Sequence, residues 1–165
     1  MTKILLSLHV LAAIIAIGPV TVAASMFPPA ARRVTVPVPA GAGAGAGEGT
    51  DAEDVGTVRL LHRICRVYAG LGIAVPVLGF ATAAAMGVLG DAWLITSIAL
   101  TAAAAGLLIA FVLPRQEELL EQLTDRQPVE PARTARLAMF TGLFNLLWAT
   151  VTVLMIVRPG STTGA

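Results

Sequence analysis

Apolar positions in this chain are grouped in runs as long as whole helices rather than spaced at the pitch of a helical turn. The longest unbroken stretch, Val67–Leu113, holds 47 residues and one formal charge, Asp91. Crossing ~30 Å of hydrocarbon takes about 20 residues at ~1.5 Å each. Val67–Leu89 and Ala92–Leu113 both meet that length, and Gly90-Asp91 between them signals a turn. A soluble helix of this length would carry a polar stripe, and neither half has one. The pattern predicts a hairpin of two spans.

Two further runs complete the set. Ile4–Phe27 is uncharged and is followed by Pro28-Pro29, which predicts the end of its helix. It is longer than the apolar core of a secretory leader, so the reading is a first span. Leu137–Val157 follows Arg136 and is the fourth. The predicted fold is all-α: one domain over residues 1–165, an antiparallel up-down four-helix transmembrane bundle with spans near 4–27, 67–89, 92–113 and 137–157. Residues 28–56, with the repeat Ala40–Gly49 (AGAGAGAGEG), read as a flexible Gly/Ala-rich linker between the first two spans. Arg115–Leu123 (RQEELLEQL) sets Leu119, Leu120 and Leu123 beside Glu117, Glu118 and Glu121, which predicts a short amphipathic helix on the membrane surface.

Charge orients the bundle. Four spans put both termini and the Gly90-Asp91 turn on one side, with Lys3 and Arg158. The two longer connections and their flanks hold Arg32, Arg33, Arg59, Arg63, Arg66, Arg115, Arg126, Arg133 and Arg136. By the positive-inside rule these connections are cytoplasmic and both termini lie outside, in the plasma membrane of a bacterium. Arg59, Arg63 and Arg66 share one face of the second helix, where they suit membrane-surface charges. An ion pair between this set and Glu117, Glu118 or Glu121 is expected.

Small residues recur at spacings of three and four in every span. They are Ala12, Ala16, Pro19 and Ala23 in the first, and Gly72, Pro76, Gly79, Ala83 and Gly87 in the second. The third has Ala99, Ala103, Gly106 and Ala110, and the fourth Ala138, Gly142, Asn145, Ala149 and Thr152. Such rows let helices approach closely in lipid. Pro76 predicts a kink and a freed carbonyl in need of a partner. Asn145, strongly polar in mid-span, is expected to hydrogen-bond across a helix interface. Trp93, beside the turn, suits an interfacial belt.

Composition narrows the function. Hydrophobic residues make up 56% and charged residues 13%, with a net charge of +1, which gives no basis for binding nucleic acid. Cys65 is the single cysteine, so no intramolecular disulfide forms. Neither a Ser/His/Asp set nor a phosphate loop nor a metalloprotease motif is present. The two histidines, His9 and His62, sit ~27 Å apart in depth and cannot share one haem iron. His9, Met86 and Met155 all fall near the outer end, and imidazole with thioethers is a donor set suited to Cu(I).

The stretch LLSLHVLAAIIAIGPV, with LHRICRVYAG and WLITSIAL, resembles a family of uncharacterised bacterial integral membrane proteins. More distantly it is similar to copper-resistance-D-type and cytochrome-b-like four-helix membrane proteins. That resemblance implies a metal- or haem-facing role for His9. The residues themselves point first to a small non-enzymatic membrane protein, without cofactor, acting as a structural or accessory partner. Its contacts would be the lipid bilayer and either itself or another membrane protein. The alternatives are a copper- or haem-handling protein using His9 and a small-molecule permease.

Overall fold

The computed structural model describes residues 2–35 and 46–160. Every element in it is helical: α1 (Thr2–Thr35), α2 (Ala46–Leu71), α3 (Ala74–Met86), α4 (Ala92–Leu107), a π turn (Leu108–Val112), α5 (Leu113–Thr124) and α6 (Pro131–Val157). Four stretches are long and apolar enough to cross a membrane: Thr2–Val34, Glu53–Met86, Ala92–Thr124 and Pro131–Val157. All four apolar runs of the sequence therefore become helix over most of their length, and each helix extends beyond its run at one end at least.

Two proline signals are overridden. Pro28-Pro29 does not end the first helix, which continues to Thr35. Two prolines remove the N–H groups that would meet the Ala24 and Ser25 carbonyls, at a cost of roughly 3 kcal/mol each. Burial offsets that cost: Phe27 and Ala31, on either side of the pair, are completely buried, and Val34 packs on the same core. Hence the expected linker of residues 28–56 is shorter than its composition suggests. Residues 28–35 and 46–56 are helical, and residues 36–45 lie outside the described part.

Pro114 likewise sits inside a helix. The chain widens into the π turn just ahead of it, where the Leu113 N–H reaches back five residues to the Leu108 carbonyl. α5 then continues the helical line from α4, so Arg115–Leu123 is not a separate surface helix. Leu119 and Leu123 belong to the main core beside Val58, Leu61 and Cys65 of α2.

The second stretch breaks where Pro76 requires it. The pyrrolidine ring clashes with the carbonyl four residues back, that of Gly72, and the chain leaves the helix at Gly72-Ile73. The Gly72 carbonyl accepts the Val75 N–H at 3.1 Å instead, which supplies the freed carbonyl with its partner. The helix ends at Met86, ahead of the expected Leu89. Gly87 closes it with φ of 71°, and the Val88 N–H returns to the Ala83 carbonyl. The turn is thus Gly87–Asp91.

The small-residue rows divide. Ala16 and Ala23 are buried on α1 and Ala83 on α3, as close packing demands. Ala99, Ala103, Gly106 and Ala110 all face outward, and the inner face of that stretch is Trp93, Leu94, Ser97, Ala104 and Leu108. Trp93 is therefore not a belt residue. It is 7% exposed in a small cluster with Ala83 and Leu94, its indole N–H donating to Asp91 Oδ2 at 2.9 Å. That bond accounts for the lone carboxylate of the hairpin.

Candidate functional site: a polar groove between α1 and α6

Ser25, Pro28, Pro29, Arg32, Ala138, Thr141, Gly142 and Asn145 line a cavity of about 210 Å³ between α1 and α6. Proline makes this place polar on the α1 side, because the Ala24 and Ser25 carbonyls have lost their intrahelical donors. On α6, the spacing of three and four that carries Ala138, Thr141, Gly142 and Asn145 sets them along one edge of the helix.

Asn145 Nδ2 donates to Ser25 Oγ at 2.9 Å, and Ser25 Oγ donates to the Thr21 carbonyl at 2.7 Å. The expected cross-helix bond of Asn145 is therefore present, and its partner is Ser25. One half of the amide is used. Asn145 Oδ1 is buried and unpartnered, and so is Thr141 Oγ1 on a residue only 2% exposed. At the other end, Arg32 Nε donates to Thr134 Oγ1 at 3.2 Å, and Thr134 donates on to the Pro131 carbonyl at the start of α6. A groove with a cation at one end and an unmet amide oxygen and hydroxyl along its wall suits a ligand or partner group that offers hydrogen-bond donors. The cavity opens outward, since Ser25, Ala138 and Gly142 are exposed.

The two histidines are tied elsewhere. His9 donates from Nδ1 to the Val75 carbonyl at 3.0 Å, and its ring lies against Gly79. His62 Nδ1 meets Gln116 Oε1 at 3.3 Å, while Gln116 Nε2 points at Cys65 Sγ at 3.6 Å. Gln116 and Cys65 are completely buried and His62 nearly so, which makes a closed polar triad between α2 and α5. Thirteen residues separate His62 from Val75, about 20 Å at the rise of a helix, so the rings stay apart.

Of the three residues expected to share an outer copper site, His9 rests on Gly79 of α3. Met86 ends α3 seven residues beyond Gly79, about 10 Å along the axis. Met155 packs on Ala83, Trp93 and Leu94. A three-donor copper site would need both sulfurs to reach the His9 ring from those positions. Among the described residues, no group of three His, Cys, Asp or Glu side chains could hold a metal ion.

Arg59, Arg63 and Arg66 are exposed, as their pattern suggests. Arg66 Nη1 lies 4.0 Å from Glu117 Oε1, the expected ion pair between the two charged sets. Both side chains are largely exposed, so the pair contributes about 0–1 kcal/mol.

No family model, no curated protein and no solved structure matches this chain.

Proposed function

We propose that this chain is a multi-pass protein of a bacterial plasma membrane. Its four long helices cross antiparallel, with both termini outside and the arginine-rich connections in the cytoplasm. Its role is that of a structural or accessory subunit, docking a spanning helix of a partner protein in the α1–α6 groove. The membrane part is supported by large apolar side chains left exposed on every long helix, among them Ile4, Ile14, Val77, Phe80, Ile109 and Ile156. Only 17–22% of each apolar window is buried within the molecule. Water would disfavour that surface and hydrocarbon would not.

The single observation that carries the accessory role is the unmet pair in the groove, Asn145 Oδ1 and Thr141 Oγ1. In hydrocarbon such groups gain from any donor that reaches them. Exposed Ala138 and Gly142 beside them let another helix backbone come close. The fitting partner is a helix carrying one amide or hydroxyl donor in an apolar span.

The test uses reconstituted protein and two synthetic spanning peptides, one all-leucine and one with a single central Asn. Energy transfer should show the Asn peptide associating with wild type and not with an Asn145→Leu, Thr141→Val variant. Equal association of both peptides, or no change in the variant, refutes the docking role. A C-terminal alkaline phosphatase fusion should be active, and an inactive one reverses the orientation.

A second reading has its own observation. Arg32 and the Pro28-Pro29 step line the same cavity, and a cation beside a broken hydrogen-bond ladder also suits a permease for a small anionic solute. Saturable uptake of such a solute into proteoliposomes, lost on Arg32→Gln, would favour it over docking.

A further inference from the structure

Arg115, Arg133 and Arg136 line a second cavity, of about 230 Å³, together with Glu118 and Glu130. Five charged side chains of both signs share this small space. Yet among the described residues the ion pair within 4.0 Å is Arg66–Glu117, which lies outside it. The opposite charges line one cavity without meeting.

Arg115 is the member held in place. Its guanidinium carbon stands 4.3 Å from the ring centroid of Phe140 and 5.5 Å from that of Phe111, and the two rings stack at 5.1 Å. Stacking fixes the plane of the fork and leaves its donors for hydrogen bonding. Arg115 Nη1 is buried and has no hydrogen-bond partner. Buried charged donors are as a rule met, so an acceptor from outside the chain suits this place. Arg133 and Arg136 stand in the first two turns of α6, whose N-terminal end adds a partial positive charge. Three guanidinium groups favour phosphate, which accepts paired N–H bonds. Glu118 and Glu130 offer acceptors to an ammonium.

We propose that this cavity binds a phosphate joined to a primary amine, the chemistry of a phosphoethanolamine headgroup. The arginines take the phosphate and the two glutamates the amine. A group bearing both charges answers both sets of side chains, which neither free phosphate nor a plain ammonium does. The inference rests on the membrane reading only for the source of the group, a lipid.

The experiment uses full-length protein purified in detergent. Native mass spectrometry compares its retention of phosphatidylethanolamine, phosphatidylglycerol and phosphatidylcholine with identical acyl chains. Wild type should retain the ethanolamine lipid about tenfold better than the other two, a difference of one decade in affinity. Arg115→Gln should lose retention of all three. Glu118→Gln with Glu130→Gln should keep phosphate binding and lose the preference for ethanolamine over glycerol. Should Arg115→Gln not fold, Arg136→Gln gives the same reading from an exposed position. Equal retention of the three lipids, or arginine variants that behave as wild type, overturns the proposal. Displacement by soluble glycerophosphoethanolamine supports a free solute as a second source of the same chemistry, and selective lipid retention without displacement supports the lipid alone. Whether the chain sediments with membranes and needs detergent for release is scored separately, so failure of the membrane reading is visible apart from failure of the cavity.

Discussion

A Cβ placed on Gly79 would lie 2.8 Å from Cε1 of His9, closer than such atoms come in folded proteins. The imidazole thus rests on the bare backbone of α3 and donates to the Val75 carbonyl one turn away. A side chain at residue 79 must displace the ring and break that bond. Gly79→Ala should therefore destabilise the protein by about 1–3 kcal/mol, the usual range for overpacking. His9→Ala in the same chain makes room for the new methyl, so the double variant should be more stable than the sum of the single losses predicts. Thermal unfolding in detergent measures all three, and simple additivity would show that ring and glycine are not in contact.

Gln116 is the buried hinge of the second polar link. One amide serves both His62 and Cys65, so removing it leaves a buried imidazole nitrogen without its partner. Gln116→Leu keeps the volume and should cost about 1–3 kcal/mol for the unmet group. The companion His62→Leu in the Gln116→Leu background should recover part of the loss, since both polar members are then gone. If the double variant is less stable than Gln116→Leu alone, the cost lies in packing rather than hydrogen bonding.

What could be read from the sequence follows the range of each force. Run length sets the four apolar helices, and it is local, so Ile4–Phe27 and the hairpin are plain in the sequence. Where those helices end is decided by contacts with distant residues. Pro28 and Pro114 are strong local stop signals, and nothing near them in sequence shows that Phe27, Ala31, Leu119 and Leu123 will be buried together. Asn145 is legible as a bonded polar residue because an apolar span leaves it little choice. Its partner Ser25 is not, since serine is common and its helix neighbours unknown. Gln116 stands among the glutamates of RQEELLEQL, whose charge pattern does not single it out. The signal was there: it precedes Leu119 and Leu123 by three and seven residues and so shares their buried face. The outward turn of Ala99 and Ala103 had no such signal, because alanine fits either face.

Asn145 and Ser25 should couple weakly. Cross-helix hydrogen bonds in membrane proteins average about 0.6 kcal/mol in double-mutant cycles, because the separated helices find other partners. Ser25 keeps its own bond to the Thr21 carbonyl when Asn145 is removed. A cycle of Asn145→Ala and Ser25→Ala, followed by unfolding in denaturing detergent, should give a coupling near that average. A coupling indistinguishable from zero would mean the bond is not formed in the folded protein.

Copper provides the sharpest check on the reading of His9. A Cu(I) site needs an imidazole nitrogen and soft sulfurs converging on one ion. Here the ring is pressed on Gly79, and Met155 is packed with Ala83, Trp93 and Leu94. The backbone of Met86 lies about 10 Å beyond that of Gly79 along α3, two turns of helix. Wild type and His9→Ala should therefore take up equal Cu(I) in competition with a chromophoric chelator. Both should also differ little from a Met86→Leu, Met155→Leu variant. Uptake lost in His9→Ala and in the methionine variant alike would mean that the three residues meet after all, and that α3 can slide or unwind at Gly72-Ile73 to let them. The break at that dipeptide is where such a movement would have to start, since the helix on either side is continuous.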